Sequence, residues 1–132
     1  MFADMGTEDP AALEAMQKVA RPFLEHALVY GSFREWLAMT PDGAVLGGGA
    51  VLIHGRPPSP QYLDPRHAEI LNVYTYPEHR RRGVARRLMR TMIEWCRGEG
   101  FAAVTLRASP DGRALYEQLG FTPTNEMRLE LR

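Results

Sequence analysis

The run Arg-Arg-Arg-Gly-Val-Ala at residues 80–85 carries the most chemical information in the chain, and it stands directly before an amphipathic, helix-like stretch. A glycine in place of a bulky side chain at a helix start leaves the free backbone N–H groups open to an anion, and the flanking arginines add positive charge. The run is neither a Walker A loop nor a Gly-x-Gly-x-x-Gly dinucleotide fingerprint. It therefore predicts a diphosphate site for a different nucleotide-bearing cofactor.

The order of the helices and strands that must position this site predicts an α/β domain with a mixed sheet. The first helix is expected to begin at Thr7 or Asp9 and to be divided in two by Pro22. The further predicted elements are a hairpin with strands 35–40 and 44–54, a strand at 68–76, a helix at 82–99, a strand at 101–108, a helix after the N-cap Ser109, and a strand at 126–131. A helix joins strands 68–76 and 101–108, which predicts that these two strands are parallel.

Composition limits the classes of protein to which the chain can belong. Its 132 residues suit one domain, and 45% apolar residues with a formal net charge of zero argue against disorder and against a general nucleic-acid-binding field. Cys96 is the single cysteine, so no internal disulfide can form, and its place on the apolar face of a helix predicts a core residue. The four histidines lack metal-ligand spacing, so we expect no metal. No membrane span or signal-peptide layout is found, and the expected compartment is the cytoplasm.

Two segments together carry a family resemblance. Residues 73–88 read Val-Tyr-Thr-Tyr-Pro-Glu-His-Arg-Arg-Arg-Gly-Val-Ala-Arg-Arg-Leu, and residues 112–121 read Gly-Arg-Ala-Leu-Tyr-Glu-Gln-Leu-Gly-Phe. In this order and context they resemble the two hallmarks of the GNAT superfamily of acetyl-CoA-dependent N-acetyltransferases. The resemblance implies one GNAT domain over residues 1–132, with a mostly antiparallel mixed sheet, splayed central parallel strands and flanking helices.

The resemblance implies acetyl-CoA as co-substrate. Its pyrophosphate would meet the backbone amides of residues 80–85, and its pantetheine arm would lie along main-chain groups of Val73 and Thr75, as an added strand would. A backbone N–H near Tyr74 or Thr75 would stabilise the oxyanion. The cofactor-binding residues expected on this basis are Val73, Tyr74, Thr75, Arg80, Arg81, Arg82, Gly83, Val84, Ala85, Arg86, Ser109 and Tyr116.

The same resemblance assigns two catalytic residues. Tyr116 matches the tyrosine that protonates the departing thiolate in many relatives, and Glu69 matches, by spacing alone, the glutamate base of the histone-acetylating branch. His67 or a water chain could take the place of Glu69. Each assignment has a structural alternative: Tyr116 as a buried core tyrosine, Glu69 as an ion-paired carboxylate, and Gly83 as a relief of crowding between helix and strand.

The acceptor is expected to be a primary amine of a small molecule or peptide. By the same resemblance it should bind over the hairpin and the early helices. The aromatic residues available there are Tyr30, Phe33, Trp36 and Tyr62. One alternative is a non-catalytic CoA-binding or regulatory module. A basic nucleic-acid-binding helix at residues 80–97 is disfavoured by the neutral net charge. Neither nucleic acid nor a membrane is therefore expected as a partner.

The start of the sequence departs from the family pattern. Residues 1–6 look like the end of the family's first helix, so the strand that usually opens the sheet either lies upstream or is missing. A sheet without that strand would have an uncovered edge, and an uncovered edge favours pairing with another chain. A homodimer is therefore expected.

Overall fold

The protein is described by a computed structural model that covers residues 9–29 and 31–132. Three predictions fall outside these ranges: Thr7 as a helix start, Tyr30 as an aromatic near the acceptor, and residues 1–6 as the end of a helix. The elements in chain order are α1 (Pro10–Val29), β1 (Phe33–Met39), β2 (Val45–Gly55), β3 (Arg66–Thr75), a 3₁₀ turn (Pro77–His79), α2 (Val84–Gly98), β4 (Val104–Leu106) and α3 (Arg113–Gln118). None of the helices in these ranges is both long and apolar enough to cross a membrane.

The four strands form one mixed sheet in the order β1-β2-β3-β4. β1 and β2 are antiparallel, β2 and β3 are antiparallel, and β3 runs parallel to β4. This arrangement confirms the predicted fold class, including the parallel pair on either side of the helix. In the register of that pair Glu69 lies beside Thr105.

Each face of the sheet has its own apolar cluster, because the side chains of a strand alternate between its two faces. On one face α2 buries Met89, Met92 and Cys96 against Val51 and Ile70. Burial of Cys96 confirms its predicted place in the core. The other face carries a smaller cluster of Ala27, Phe33 and Ala50, covered by the end of α1.

A β-bulge interrupts the pairing of β2 with β3. Gly48 pairs with Tyr74 and Ala50 pairs with Leu71, so Gly49 alone faces two residues of β3. One of these two, Asn72, has a φ of +57°, in the left-handed region that asparagine tolerates better than most residues. A bulge bends its strand and strengthens the local twist, which turns the last part of β3 away from its earlier course.

Two predictions about the elements were wrong. Pro22 does not divide α1, which continues as a single helix of 20 residues. A proline inside a helix removes one hydrogen bond, and here the residues after it, Leu24 and Ala27, still anchor the helix to the sheet. Residues 126–131 form no strand, and no backbone hydrogen bond joins residues 122–132 to any other described residue. A strand needs a paired neighbour, and an alternating sequence does not supply one.

Candidate functional site

The start of α2 is an open helix N-terminus. Gly83 occupies the N-cap position with φ +76° and ψ +13°, and no side chain caps the amides that follow it at Val84, Ala85 and Arg86. A Cβ added at Gly83 would meet no atom within 4 Å. The proposed relief of crowding is therefore wrong, and glycine is needed for its left-handed backbone. The free amides and the helix dipole together favour an anion at this point.

The four arginines of the run 80–86 differ in what they contact. Arg80 Nε donates a hydrogen bond to the Thr75 carbonyl oxygen at 3.1 Å, which ties the loop before α2 to the end of β3. Arg86 donates to the side chain of Gln118 and so links α2 to α3. Arg81 and Arg82 are exposed and have no partner in the part of the chain that the structure describes. These two guanidinium groups are the ones available to an incoming anion.

The last part of β3 lacks a neighbour on the β4 side. Pairing with β4 covers only Ala68, Glu69 and Ile70, whereas β3 continues to Thr75. Val73, Tyr74 and Thr75 therefore lie in the splayed region between the two parallel strands. The predicted splay is confirmed, and the main-chain groups of β3 beyond Ile70 face no paired strand on the β4 side.

Three glycines of β2 allow close approach of two neighbours, the end of β3 at Gly47 and Gly48 and helix α2 at Gly49. A Cβ on Gly47 would lie 2.4 Å from the Tyr74 carbonyl oxygen, and one on Gly49 would lie 2.8 Å from the terminal methyl carbon of Met92. Sequence reasoning missed the role of these glycines and of Asn72. The signal available was the run Gly47, Gly48 and Gly49 inside a predicted strand, because glycine in a strand often marks a bulge or a close backbone approach.

Tyr116 is held in place by the turn that starts α3. The Ser109 Oγ atom accepts a hydrogen bond from the Gly112 N–H at 3.1 Å, which closes the turn before α3. The predicted N-cap position was wrong, because α3 begins at Arg113 with Gly112 as its N-cap and without a side-chain cap. A Cβ on Gly112 would lie 2.7 Å from Cε2 of Tyr116, so only glycine leaves room for the ring. No described residue hydrogen-bonds to the Tyr116 hydroxyl. Burial raises the pKa of Tyr116 above its ordinary value of about 10, which keeps the hydroxyl protonated at neutral pH.

Glu69 lies between two basic groups on the sheet face opposite α2. Its side chain is 17% exposed; Oε1 is 3.6 Å from His54 Nε2 and Oε2 is 3.7 Å from Arg107 Nη1. Both separations are longer than those of a strong ion pair. The carboxylate is therefore positioned by its neighbours without a short hydrogen bond to either of them.

His67 is the other candidate base, and it lies two residues before Glu69 on β3. Its Nε2 atom is 2.9 Å from Thr105 Oγ1, and its Nδ1 atom is buried without a hydrogen-bond partner among the described residues. Burial, followed by the positive charges of Arg56 and His54, lowers the pKa of His67 below its ordinary value of 6.5. The imidazole is therefore neutral at pH 7 and can accept a proton.

A groove of about 720 Å³ along β4 is lined from both faces of the sheet, with His67 and Glu69 on the face opposite α2 and Tyr116 on the α2 side. Its lining includes His67, Glu69 and Tyr116, with Tyr62 at the side. Residues 80–86 and residues 73–75 do not line it, so the open start of α2 and this groove are separate parts of the surface. Two aromatic residues expected near the acceptor lie elsewhere: Phe33 is buried beneath α1, and Trp36 packs against Trp95 with ring centroids 5.4 Å apart.

Comparison with known proteins gives a consistent picture. The sequence model of the Acetyltransferase (GNAT) family matches residues 8–121. A crystal structure of a GCN5-related N-acetyltransferase from Ralstonia eutropha superposes with a TM-score of 0.88 at 32% identity, over 98% of this chain and 85% of that one. A predicted acetyltransferase from Clostridium acetobutylicum, crystallised with acetyl-CoA, gives a TM-score of 0.86 at 25% identity, over 99% of this chain and 82% of that one.

The curated relatives are more distant and longer. Human N-acetyltransferase 8 is 28% identical over 94 residues, which are 69% of this chain and 39% of the relative. The mouse probable N-acetyltransferase family 8 member 5 is 28% identical over 114 residues, which are 84% of this chain and 46% of the relative. The chain thus spans less than half the length of these two relatives.

Proposed function

The chain belongs to the Acetyltransferase (GNAT) family, and from that premise we propose that it transfers the acetyl group of acetyl-CoA to a primary amine of a small molecule or peptide. The observation that carries the proposal is the open N-terminus of α2 beside the splayed end of β3. The left-handed Gly83 leaves the amides of Val84, Ala85 and Arg86 uncapped, and Arg81 and Arg82 stand next to them without partners in the described chain.

The two parts of this region fit two parts of acetyl-CoA. Its pyrophosphate is an anion of the kind that uncapped helix amides and guanidinium groups bind. Its pantetheine arm has amide groups that can pair with the main chain of Val73 and Thr75 in the splayed region. Ser109 and Tyr116 would then meet the end of the arm that bears the thioester. Acetyl-CoA supplies the activated acyl group, and the protein's part is to bind, orient and move protons.

The groove residues suit the two proton transfers that aminolysis of a thioester requires. The amine nitrogen forms the new C–N bond, the C–S bond breaks, and the sulfur leaves as a thiolate. Glu69, or the neutral imidazole of His67, accepts the proton that the amine loses. Tyr116, kept protonated by its raised pKa, donates the proton that the thiolate takes up. A main-chain N–H near Tyr74 or Thr75 would stabilise the developing oxyanion.

Calorimetry with acetyl-CoA, followed by thiol release against a panel of amines, amino acids and peptides, tests the proposal. Arg82→Glu should weaken acetyl-CoA binding at least tenfold, because it places a carboxylate beside the pyrophosphate. Arg90→Glu, a charge reversal on the exposed side of α2, is the matched control and should leave binding unchanged. Absence of acetyl-CoA binding by the unaltered protein would refute the proposal.

A non-catalytic CoA-binding module is the second candidate. The contacts of Glu69 with His54 and Arg107 favour it, since a carboxylate with a structural role would be found in the same place. The two candidates differ in Tyr116→Phe. This change should lower kcat about 100-fold in an enzyme with unchanged acetyl-CoA affinity, whereas a binding module would show acetyl-CoA binding and no thiol release with or without the hydroxyl.

A further inference from the structure

The residue that follows β2 brings a guanidinium group to the groove. The pairing of β2 with β3 extends one step beyond Gly55, because the Arg56 N–H donates to the Pro65 carbonyl oxygen at 2.8 Å. Side chains alternate along a strand, so Arg56 lies on the same face of the sheet as His54. Both side chains line the groove together with Glu69. The groove therefore contains a permanent cation on the side that carries the candidate base.

Arg56 lacks an anionic partner within the protein. Its side chain is half-buried, and its guanidinium makes no hydrogen bond or ion pair with any residue that the structure describes. Asp64 lies within its electrostatic reach, but Arg66 binds that carboxylate at 2.9 Å. No ion pair joins Arg56 to the described carboxylates of the groove, which are Glu69, Glu117 and Glu126. A cation that is partly withdrawn from water without a counter-ion is costly, so the position favours an anion from outside.

The loop at residues 56–65 holds this guanidinium in place. The Cζ atom of Arg56 lies 4.7 Å from the centroid of the Tyr62 ring. Ser59 and Tyr62 exchange two backbone hydrogen bonds, of 2.9 and 3.1 Å, which close the turn that carries the ring. The backbone is further restricted by the prolines of the loop, Pro57, Pro58, Pro60 and Pro65. A guanidinium stacked on a ring keeps the N–H donors at its edge free for a planar anion.

The guanidinium and the candidate base lie at different levels along the sheet. Glu69 pairs with Leu52 in the register, and Arg56 follows Leu52 by four residues. At about 3.3 Å per residue, the two Cα positions are about 13 Å apart along the strand direction. The charge of Arg56 still reaches His67, whose pKa is lowered by burial and then by this charge. A ligand that touches both Arg56 and Glu69 therefore needs several bonds between its two polar ends.

We propose that the acceptor is an amine that carries a carboxylate several bonds from its nitrogen, and that Arg56 binds this carboxylate. The planar guanidinium can donate two parallel N–H groups to the two carboxylate oxygens. The carbon chain of the acceptor then follows the groove and brings the amine to Glu69 and His67. An amine without the carboxylate lacks this contact, so Arg56 selects the acceptor by charge. The inference rests on the proposed function, since it identifies the acceptor of the same reaction.

Thiol release from acetyl-CoA with matched acceptors tests the proposal. ε-Aminocaproate and hexylamine have carbon chains of equal length and differ in the carboxylate, whereas glycine has its carboxylate next to the amine-bearing carbon. We expect kcat/KM to be about tenfold higher for ε-aminocaproate than for either of the others. Equal values for ε-aminocaproate and hexylamine would overturn the inference and leave the proposed function standing. A preference for glycine would also overturn it.

Arg56→Gln removes the charge from this side of the groove. KM for ε-aminocaproate should rise about tenfold with kcat nearly unchanged, because the carboxylate contact is the same before and during the reaction. Both constants for hexylamine should stay the same, and Arg56→Lys should recover part of the affinity, since it keeps the charge without the fork. Arg97→Gln, on the exposed side of α2, is the matched control and should change neither constant. An unchanged KM in Arg56→Gln would overturn the assignment.

Binding of ε-aminocaproate in the presence of coenzyme A separates a failure of this inference from a failure of the proposed function. An NMR titration measures this binding without turnover. If no amine gives thiol release, the proposed function is contradicted, and the titration alone decides on the carboxylate site. Binding that is weakened by Arg56→Gln and not by Arg97→Gln would support the site. Absence of binding to the unaltered protein would overturn it.

Discussion

The two halves of β3 do different work. Residues 66–70 are paired with β2 throughout and with β4 over their last three positions, and they present the side chains of His67 and Glu69 to the groove. Of residues 71–75, Leu71, Tyr74 and Thr75 pair with β2 and none pairs with β4, so their main chain borders the splayed region. In the proposed function, residues 66–70 supply side chains for proton transfer and residues 71–75 supply main-chain groups for acetyl-CoA. The bulge at Asn72 lies between these two parts of β3.

Glu69→Gln, in the first half of β3, should have the largest effect on kcat. The amide keeps the shape of the side chain but cannot accept the amine proton, so kcat should fall about 100- to 1000-fold while the affinity for acetyl-CoA stays constant. Steady-state kinetics and calorimetry on the same preparation measure the two quantities. An unchanged kcat would assign the base to His67 or to water.

Asn72→Val should destabilise the bulge that lies between the two halves of β3. A β-branched residue at φ +57° is strained, so the free energy of unfolding should fall by about 2 kcal/mol. Asn72→Gly is the control, because glycine adopts this backbone without strain. Urea denaturation measures both variants. Equal stability of the valine variant and the unaltered chain would mean that the bulge is not held at this residue.

Gly83→Ala should weaken acetyl-CoA binding at the start of α2 and leave the side chains of residues 66–70 unaffected. The left-handed backbone at φ +76° costs a side chain about 1 kcal/mol, so acetyl-CoA affinity should fall several-fold as the loop shifts to relieve it. Gly98→Ala is the matched control at the other end of α2: it has no positive φ and no neighbour within 4 Å, and it should be neutral or slightly stabilising. Similar affinities for both variants would contradict the role of Gly83.

A pH titration of the free energy of unfolding should give the smallest effect, and it tests the burial of His67 in the first half of β3. Burial lowers the pKa of His67 in the folded protein, so the unfolded chain binds more protons as the pH falls. The contribution of His67 to stability is therefore present above about pH 6.5 and is lost as the pH falls through the lower folded value. His67→Gln should flatten this part of the curve. The difference between the two proteins at pH 8, where His67 is neutral in both states, gives the reference.

Local pattern predicted most of the fold. The apolar spacing of α2 and the turn before β2 are short-range features, and the elements that they predict form. The helix predicted after Ser109 also forms, but it begins at Arg113. The open start of α2 was also predictable, since it depends on consecutive residues. Pro22 shows the limit of such rules, because contacts of α1 with the sheet outweigh one lost hydrogen bond.

The features that sequence reasoning missed depend on contacts between distant segments. The bulge at Asn72 lies in the pairing of β3 with β2, and no short window of sequence contains both strands. The groove joins Glu69 from β3 to Tyr116 from α3 for the same reason. The strand predicted at residues 126–131 failed because pairing depends on a partner, which the alternating pattern does not identify.

The contact between Gly112 and Tyr116 determines when the tyrosine side chain loses its conformational entropy. The ring lies where a Cβ of residue 112 would be, so the backbone of the turn limits the rotations open to the tyrosine. A side chain that must be frozen at the moment of reaction loses conformational entropy then, and the barrier rises accordingly. For the proton-donor role that we propose for Tyr116, this entropy is already lost during folding, because the turn holds the ring before any substrate binds.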